Sequence, residues 1–354
     1  MTDSSALPPT APRRRIGIVM LSAVGDAVHA LSVVQALKRQ DPHCHITWVM
    51  QPGPAMLVKG HPAVDEIVLF DRARGWRAFL DVRRALAQPF DLLLDLQVYF
   101  KAGVITGLAH APVKLGFDRA RAHDLNWLFT NRKIAPHPLQ HVQDQYFEFL
   151  AALGVPSEPV TWDLGPWPQE RAWQQEFTGR FERPIAALII GSSKPQKDWL
   201  PERWAALANA LSADFGVQPV LAGGRSSREL ATERVILDAV KVPVVSALGS
   251  GLRNLVGILD ASALVVSLDT GPLHMTVALD RPVISLIGYS NPKRVGPYRR
   301  YQDLIVDAYG DPGEDYPVSM TNRLDRMPRI TVDDVLQRVA RWKDRYASSR
   351  PAKS

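Results

Sequence analysis

A single cysteine, Cys44, occurs in 354 residues, so no internal disulfide can form and a cysteine-rich metal site is excluded. That usage fits a reducing compartment. No apolar run approaches the ~18–20 residues that a membrane-spanning helix needs. There is no Gly-x-Gly-x-x-Gly opening a helix and no Walker A loop, so neither a dinucleotide fingerprint nor a P-loop is present. Zinc-finger spacing is missing, and the aromatics do not interleave with basic residues as stacking platforms do, so nucleic acid is not an expected partner. The "HCH" at 43–45 places both histidines on one face of an extended run and Cys44 on the other, so no metal is expected there.

What is present is ample apolar material: 46% hydrophobic residues against 22% charged, enough for two sizeable cores at this length. The formal net charge of +6 attracts polyanions, and a phosphate-rich small molecule or an anionic membrane surface is the economical partner. The opening "RRRIGIVMLSAVGDA" (13–27) superficially resembles a secretory signal. Its apolar stretch is short and Gly25 and Asp26 interrupt it, so it reads as the first core strand after a disordered polar tail over 1–14. The expected location is therefore the cytoplasm.

Short apolar runs alternate with longer helical patterns, the signature of parallel sheets covered by helices, so the fold class is α/β. In the first half the runs are Ile16–Met20, Ile46–Val49, Glu66–Phe70, Leu92–Leu96 and Lys114–Phe117. In the second they are Ile185–Ile190, Pro219–Ala222, Val244–Ala247, Ala263–Leu268 and Val283–Ile287. Between the halves, 154–170 is rich in proline and glycine and breaks both periodicities. The expected organisation is an N-terminal domain over 15–160, a linker over 161–180 and a C-terminal domain over 181–330. A final helix and tail over 331–354 are expected to pack back on the first unit.

Four clusters can carry chemistry. In "SLDTGPLHMTVAL", Thr270 is a candidate helix N-cap, Gly271 lets backbone approach a ligand, and the helix amides favour an anion. Asp269 stands at the strand's end, where it can accept from a sugar hydroxyl; a merely capped helix start with His274 packed in it is the plainer alternative. In "GSSKPQKDW", the hydroxyls of Ser192 and Ser193 with Lys194 and Lys197 make a phosphate cradle or a solvated basic loop. After the first strand, Asp26 opens a helix as either its cap or a general base facing a cleft, with His29 bordering it. Lastly, Asp95, Gln97, Lys101, Arg119 and Arg121 follow two adjacent strands; the cations suit an acidic acceptor or are simply solvated.

Together these stretches resemble glycosyltransferase family 9, the heptosyltransferases acting on lipopolysaccharide. The similarity runs from Arg15 to about Tyr298, through "LSAVGDAVHALSVVQALKRQ", "GHPAVDEIVLFD", "DLQVYFKAG", "HVQDQYFEFLAALGV" and "GSSKPQKDWLPERW". Most specific is "SLDTGPLHMTVALDRPVISLIGYSNPKRVGPY", with its Asp-Thr-Gly-Pro-x-His signature. The resemblance implies a GT-B architecture, two Rossmann-like domains facing across a cleft, the N-terminal one binding acceptor and the C-terminal one the nucleotide-sugar donor. It implies inverting transfer with Asp26 as base, and donor contacts at Ser192, Ser193, Lys197, Asp269, Thr270, Gly271 and His274. ADP-heptose is the implied donor, and Lys101, Arg119 and Arg121 are the candidates for an acidic glycolipid acceptor. No cofactor or metal is implied, and peripheral contact with an anionic membrane would bring that acceptor within reach. The turn "AGGRSSRELA" departs from the family's ribose-binding carboxylate, leaving Glu229 as a candidate, and the cysteines many members carry late in the chain are missing. An enzyme of the same fold using another nucleotide sugar, and a non-catalytic nucleotide-sugar-binding protein, are the alternatives.

Overall fold

The computed structural model describes residues 13–347, so the expected tail up to Pro12 lies outside the described residues. The first half runs β1 (Arg15–Val19), α1 (Val24–Gln40), β2 (His45–Met50), α2 (Pro52–Val58), β3 (Glu66–Leu69), α3 (Arg77–Ala85), β4 (Leu92–Asp95), α4 (Phe100–Leu108), β5 (Val113–Gly116), β6 (Arg132–Lys133) and α5 (Val142–Leu153). The second continues with α6 (Pro168–Thr178), β7 (Ile185–Ile189), α7 (Pro201–Ala213), β8 (Gln218–Ala222), α8 (Ser227–Ala239), β9 (Val245–Ser246) and α9 (Leu252–Ala261). It closes with β10 (Leu264–Leu268), α10 (Gly271–Ala278), β11 (Val283–Ile287), α11 (Pro292–Val295), β12 (Ile305–Asp307) and α12 (Val332–Arg345).

Two six-stranded sheets result, ordered β3-β2-β1-β4-β5-β6 and β9-β8-β7-β10-β11-β12, with every ladder parallel. Each begins in the middle, winds to one edge, then returns to build the other. Strands β7, β10 and β11 are buried along their whole length, as parallel strands covered on both faces must be, and their apolar runs carry no alternation. Strand order reverses between β1 and β4 and between β7 and β10, where such sheets open a crevice outside the strands' carboxyl ends. Val19 stands beside Asp95 and Ile189 beside Ser267, so the loops that leave those strands emerge side by side.

All ten strands expected from sequence overlap observed ones. The two unexpected strands are short edges: β6 is two exposed basic residues and β12 is three residues, too brief for a pattern. The expected linker is irregular only as far as Trp167, because α6 occupies its second half and packs on α9. Gln174 Nε2 donates to the Gly257 carbonyl at 2.8 Å, and Arg171 pairs with Asp260 at 2.8 Å.

The last helix does not pack back on the first unit. Val335, Val339 and Trp342, spaced i, i+4 and i+7, form one buried stripe that fits α7 and the β11–β12 edge of the second sheet. Trp342 Nε1 donates to the Ala263 carbonyl and Arg338 Nε to the Ile305 carbonyl, which fixes the helix on that sheet. Among the described residues no helix is long and apolar enough to cross a membrane.

Candidate active site

The loops that leave the two reversal points line one cleft of about 1010 Å³. On the first unit's side, Asp26 is the third residue of α1, not its cap; the cap position is Ala23, whose N–H donates to Asp26 Oδ2 at 2.9 Å. Tyr146 of α5 donates its hydroxyl to Asp26 Oδ1 at 3.2 Å. The carboxylate is thus held from two directions with its remaining surface toward the cleft. Burial pushes its pKa up, against the opposing pull of the Ala23 N–H, Tyr146, Arg294 and Lys197. Such a group is a better proton acceptor than an exposed aspartate.

Facing it is the turn between β10 and α10. Thr270 takes the N-cap position of α10, but its side chain makes no capping bond, leaving the hydroxyl available. Backbone amides at the head of α10 and the positive end of its dipole point at the cleft. The two turns touch directly: a Cβ on Gly25 would stand 2.8 Å from His274 Cδ2, and one on Gly271 would stand 2.9 Å from Val24 Cγ1. Neither position admits a larger side chain without displacing the other turn.

His274 packs on His29 with ring centroids 4.4 Å apart, and His141 lies 5.9 Å from His29. Burial and the neighbouring imidazoles push His29 down to about 3 and His274 well below the ordinary histidine range, and burial lowers His141 as well. His29 is anchored by Gln143 at 3.0 Å, whereas the buried Nδ1 of His274 has no hydrogen-bond partner among the described residues. A neutral imidazole with a spare nitrogen can donate to, or accept from, a ligand.

Lys197 reaches the cleft from the loop after β7, its ammonium 2.6 Å from Asp269 Oδ2. Asp269, expected as a sugar-hydroxyl acceptor, therefore holds a lysine. Ser193 lines the same cleft; Ser192 instead borders a second cavity of about 310 Å³, its hydroxyl 2.7 Å from Asp198 Oδ1. This second cavity is mainly apolar, with Ile189, Leu252, Leu255 and Pro272 in its wall, and it adjoins the first at Val24, Thr270 and Gly271. Glu229 lines it as well, accepting from the Gly224 N–H at 2.7 Å and the Ser226 N–H at 2.9 Å. It sits so close that a Cβ on Gly191 would clash with Glu229 Cγ. The sequence singled out Ser192, Glu229, Thr270 and Gly271 but not the cavity they border, because its wall is assembled from glycines and aliphatic residues of five separate loop regions.

The three acceptor candidates fare differently. Arg121 lines the cleft, but it is ion-paired to Asp118 and, at 2.6 Å, to Glu148, and it donates to the Ala135 carbonyl, all with little exposure. Lys101 and Arg119 are exposed and are not part of the cleft lining; Arg119 lies over the Trp127 ring. Asp95 is fully buried, bonded to Thr106 and Asn126, with burial pushing its pKa up to about 7. The cation that sequence reasoning missed is Arg294 of α11, which lines the cleft with Nε buried and unbonded among the described residues. Nothing in "NPKRVGPY" separates it from its exposed neighbour Lys293.

Because Arg121 holds two buried carboxylates, Arg121→Ala should act first on stability. A loss of about 3–5 kcal/mol is expected in denaturant unfolding, since both acids lose their partner, with nucleotide affinity unchanged. A variant as stable as the native chain would return Arg121 to ligand binding.

Comparison with known proteins agrees with the paired sheets. Residues 79–318 match the model of glycosyltransferase family 9 (heptosyltransferase). The lipopolysaccharide core heptosyltransferase OpsX of Haemophilus influenzae is 30% identical over 309 residues, covering 85% of this chain and 88% of that protein. The solved structure of E. coli heptosyltransferase WaaC with ADP is 27% identical with a TM-score of 0.72, covering 94% of this chain and 99% of that one. The glycosyl transferase family 9 structure from Veillonella parvula superposes with a TM-score of 0.80 at 21% identity, over 93% and 96% of the two chains. Its likeness is one of fold. This chain is a glycosyltransferase of the GT-B fold and belongs to glycosyltransferase family 9.

Proposed function

We propose that this enzyme transfers a heptose from ADP-heptose to an acidic sugar of the lipopolysaccharide inner core, with inversion and with Asp26 as the base. The observation that carries the reading is the meeting of a raised-pKa carboxylate from one unit and a lysine, a free hydroxyl and a helix N-terminus from the other in one cleft, beside a nucleoside-sized apolar cavity. The Haemophilus lipopolysaccharide core heptosyltransferase and the E. coli heptosyltransferase with ADP support the same substrate classes.

In this scheme the nucleoside enters the smaller cavity, its ribose hydroxyls facing Glu229 and its base against Leu252 and Leu255. The diphosphate lies across Thr270, Gly271 and the head of α10, with Ser193, Lys197 and His274 around it. An acceptor hydroxyl gives its proton to Asp26 while its oxygen bonds to the anomeric carbon. The bond from that carbon to the diphosphate oxygen breaks, and its electron pair leaves with the nucleotide. Lys197 and the α10 amides take up the negative charge that grows on the leaving group, an electrostatic contribution of several kcal/mol. Arg294 is placed to balance an anionic substrate group and to hold Asp26 ionised. The acceptor is an acidic glycolipid presented at the inner membrane face, where the enzyme works peripherally.

Calorimetry with ADP, UDP and GDP tests the donor. ADP should bind best, and Lys197→Ala should weaken it about 10–100-fold, the worth of a charge-assisted hydrogen bond. Preference for UDP or GDP would keep the fold and overturn the heptose donor. The pH profile tests the base: only ionised Asp26 accepts a proton, so kcat/KM should fall as pH drops through its raised pKa. A rate flat down to the range of an ordinary aspartate would remove Asp26 from that role.

A further inference from the structure

We propose that the face built from α3, the head of α4 and the short helical turn Asn126–Phe129 docks on an anionic lipid bilayer. This rests on the lipid-linked acceptor proposed above and assigns the surface that reaches it.

The segment 71–88, "DRARGWRAFLDVRRALAQ", has two faces. Ala78, Val82 and Leu86, spaced by four, are buried in the core beneath α3. On the opposite side Trp76 is 69% exposed and Leu80 38% exposed, between exposed arginines. Five arginines stand against two aspartates in this segment. Asp81 takes Arg74 at 3.1 Å and Arg84 at 3.8 Å, while Arg72, Arg77 and Arg83 have no ion pair among the described residues. An indole this exposed contributes nothing to the core. A tryptophan and a leucine among arginines on a helix is the composition that settles at the headgroup level of an anionic bilayer.

The patch continues toward the cleft. Helix α3 packs on α4, and α4 packs on the turn Asn126–Phe129, with Phe100 and Phe129 ring centroids 5.8 Å apart. Phe100 is 46% exposed and Leu128 65% exposed, and exposed Lys101 lies beside Phe100. Tyr99, the next residue back along the chain, lines the cleft that holds Asp26. A bilayer against this face would therefore lie at the mouth of the active site, and a lipid-anchored sugar could enter without its anchor leaving the membrane. The charge selects the occupant: a second copy docked by the same patch would bring arginine against arginine, whereas anionic headgroups neutralise them.

The test is vesicle flotation of the full chain with phosphatidylglycerol-containing vesicles and with pure phosphatidylcholine, at low and high salt. Two variants change only exposed residues: Trp76→Ser with Leu80→Ser, and Arg77→Glu with Arg83→Glu. The native chain should float with the anionic vesicles, less so at high salt. Each arginine near such a surface is worth about fivefold in partition, so the charge variant should lose about 25-fold or more. ADP affinity should be unchanged in both variants, which shows that the fold and the donor site are intact. Failure of the native chain to float, or variants that float like it, would overturn the proposal. So would self-association of the native chain that the variants abolish, which would make the patch a contact between copies. Flotation reads lipid binding alone, so its failure leaves the donor and base assignments to their own tests.

Discussion

Everything at the active site depends on one contact, the head-to-head packing of the strand-to-helix turns after β1 and β10. Gly25 lies under the His274 ring and Gly271 under Val24, with room for neither to carry a side chain. The approach brings the amino ends of α1 and α10 to one volume, so a carboxylate from the first unit and the positive end of a helix from the second face the same cleft. A single apolar cluster runs behind it from β1 and α1 through α5 to α9 and α10, so the packing of the two units carries the contact. Further bonds tie α5 to the second unit: His141 to the Gly296 carbonyl at 2.9 Å, and Asp144 to the Tyr298 hydroxyl.

The cost of this arrangement is electrostatic. Asp26 and Asp95 both have pKa values raised by burial, so the folded state holds their protons more tightly than the unfolded chain does. Their penalty is small at acid pH and grows as pH rises through the folded values, about 7 for Asp95. Asp95 recovers part of it through Thr106, Asn126 and the Gln97 N–H; among the described residues Asp26 has two hydrogen bonds, from Ala23 and Tyr146, helped by the charges of Arg294 and Lys197. An ionised carboxylate left underbonded at a cleft is poorly placed for stability and well placed to take a proton. The cations are handled in the opposite way. Lys197 is neutralised by Asp269 and Arg121 by two acids, and Arg294 alone of the three lacks an ion pair among the described residues.

Much of this was legible in the sequence. The buried parallel strands announce themselves as unbroken apolar runs, and the candidate turns were noticed because they leave such strands; the reversal of strand order that brings them together appeared only with the fold. Asp26, Lys197 and the Asp-Thr-Gly-Pro turn stood out by their place after such strands, each with a plain structural alternative, and the family resemblance was what gave them roles; the structure brings all three to one cleft. Other features were not legible, for physical reasons. An arginine that binds a ligand and one that clips two buried acids, as Arg121 does, look alike until Asp118 and Glu148 are located in space. Lys101 follows a cleft-forming strand, yet helix α4 turns it to the outside. Arg294 and the apolar cavity beside Glu229 exist only once distant loops have met. The stripe on α12 fixes that it packs, but only the second sheet's free edge decides where.

The central claim is that Asp26 does chemistry and not architecture, and one variant addresses it directly. Asp26→Asn keeps the shape and removes the charge, so ADP affinity and transfer rate should be measured on it side by side. The account predicts native-like ADP binding, a melting temperature equal to or above the native one, and transfer slowed by about 100- to 10,000-fold. Transfer within a few-fold of native, or loss of ADP binding and stability together, would contradict it.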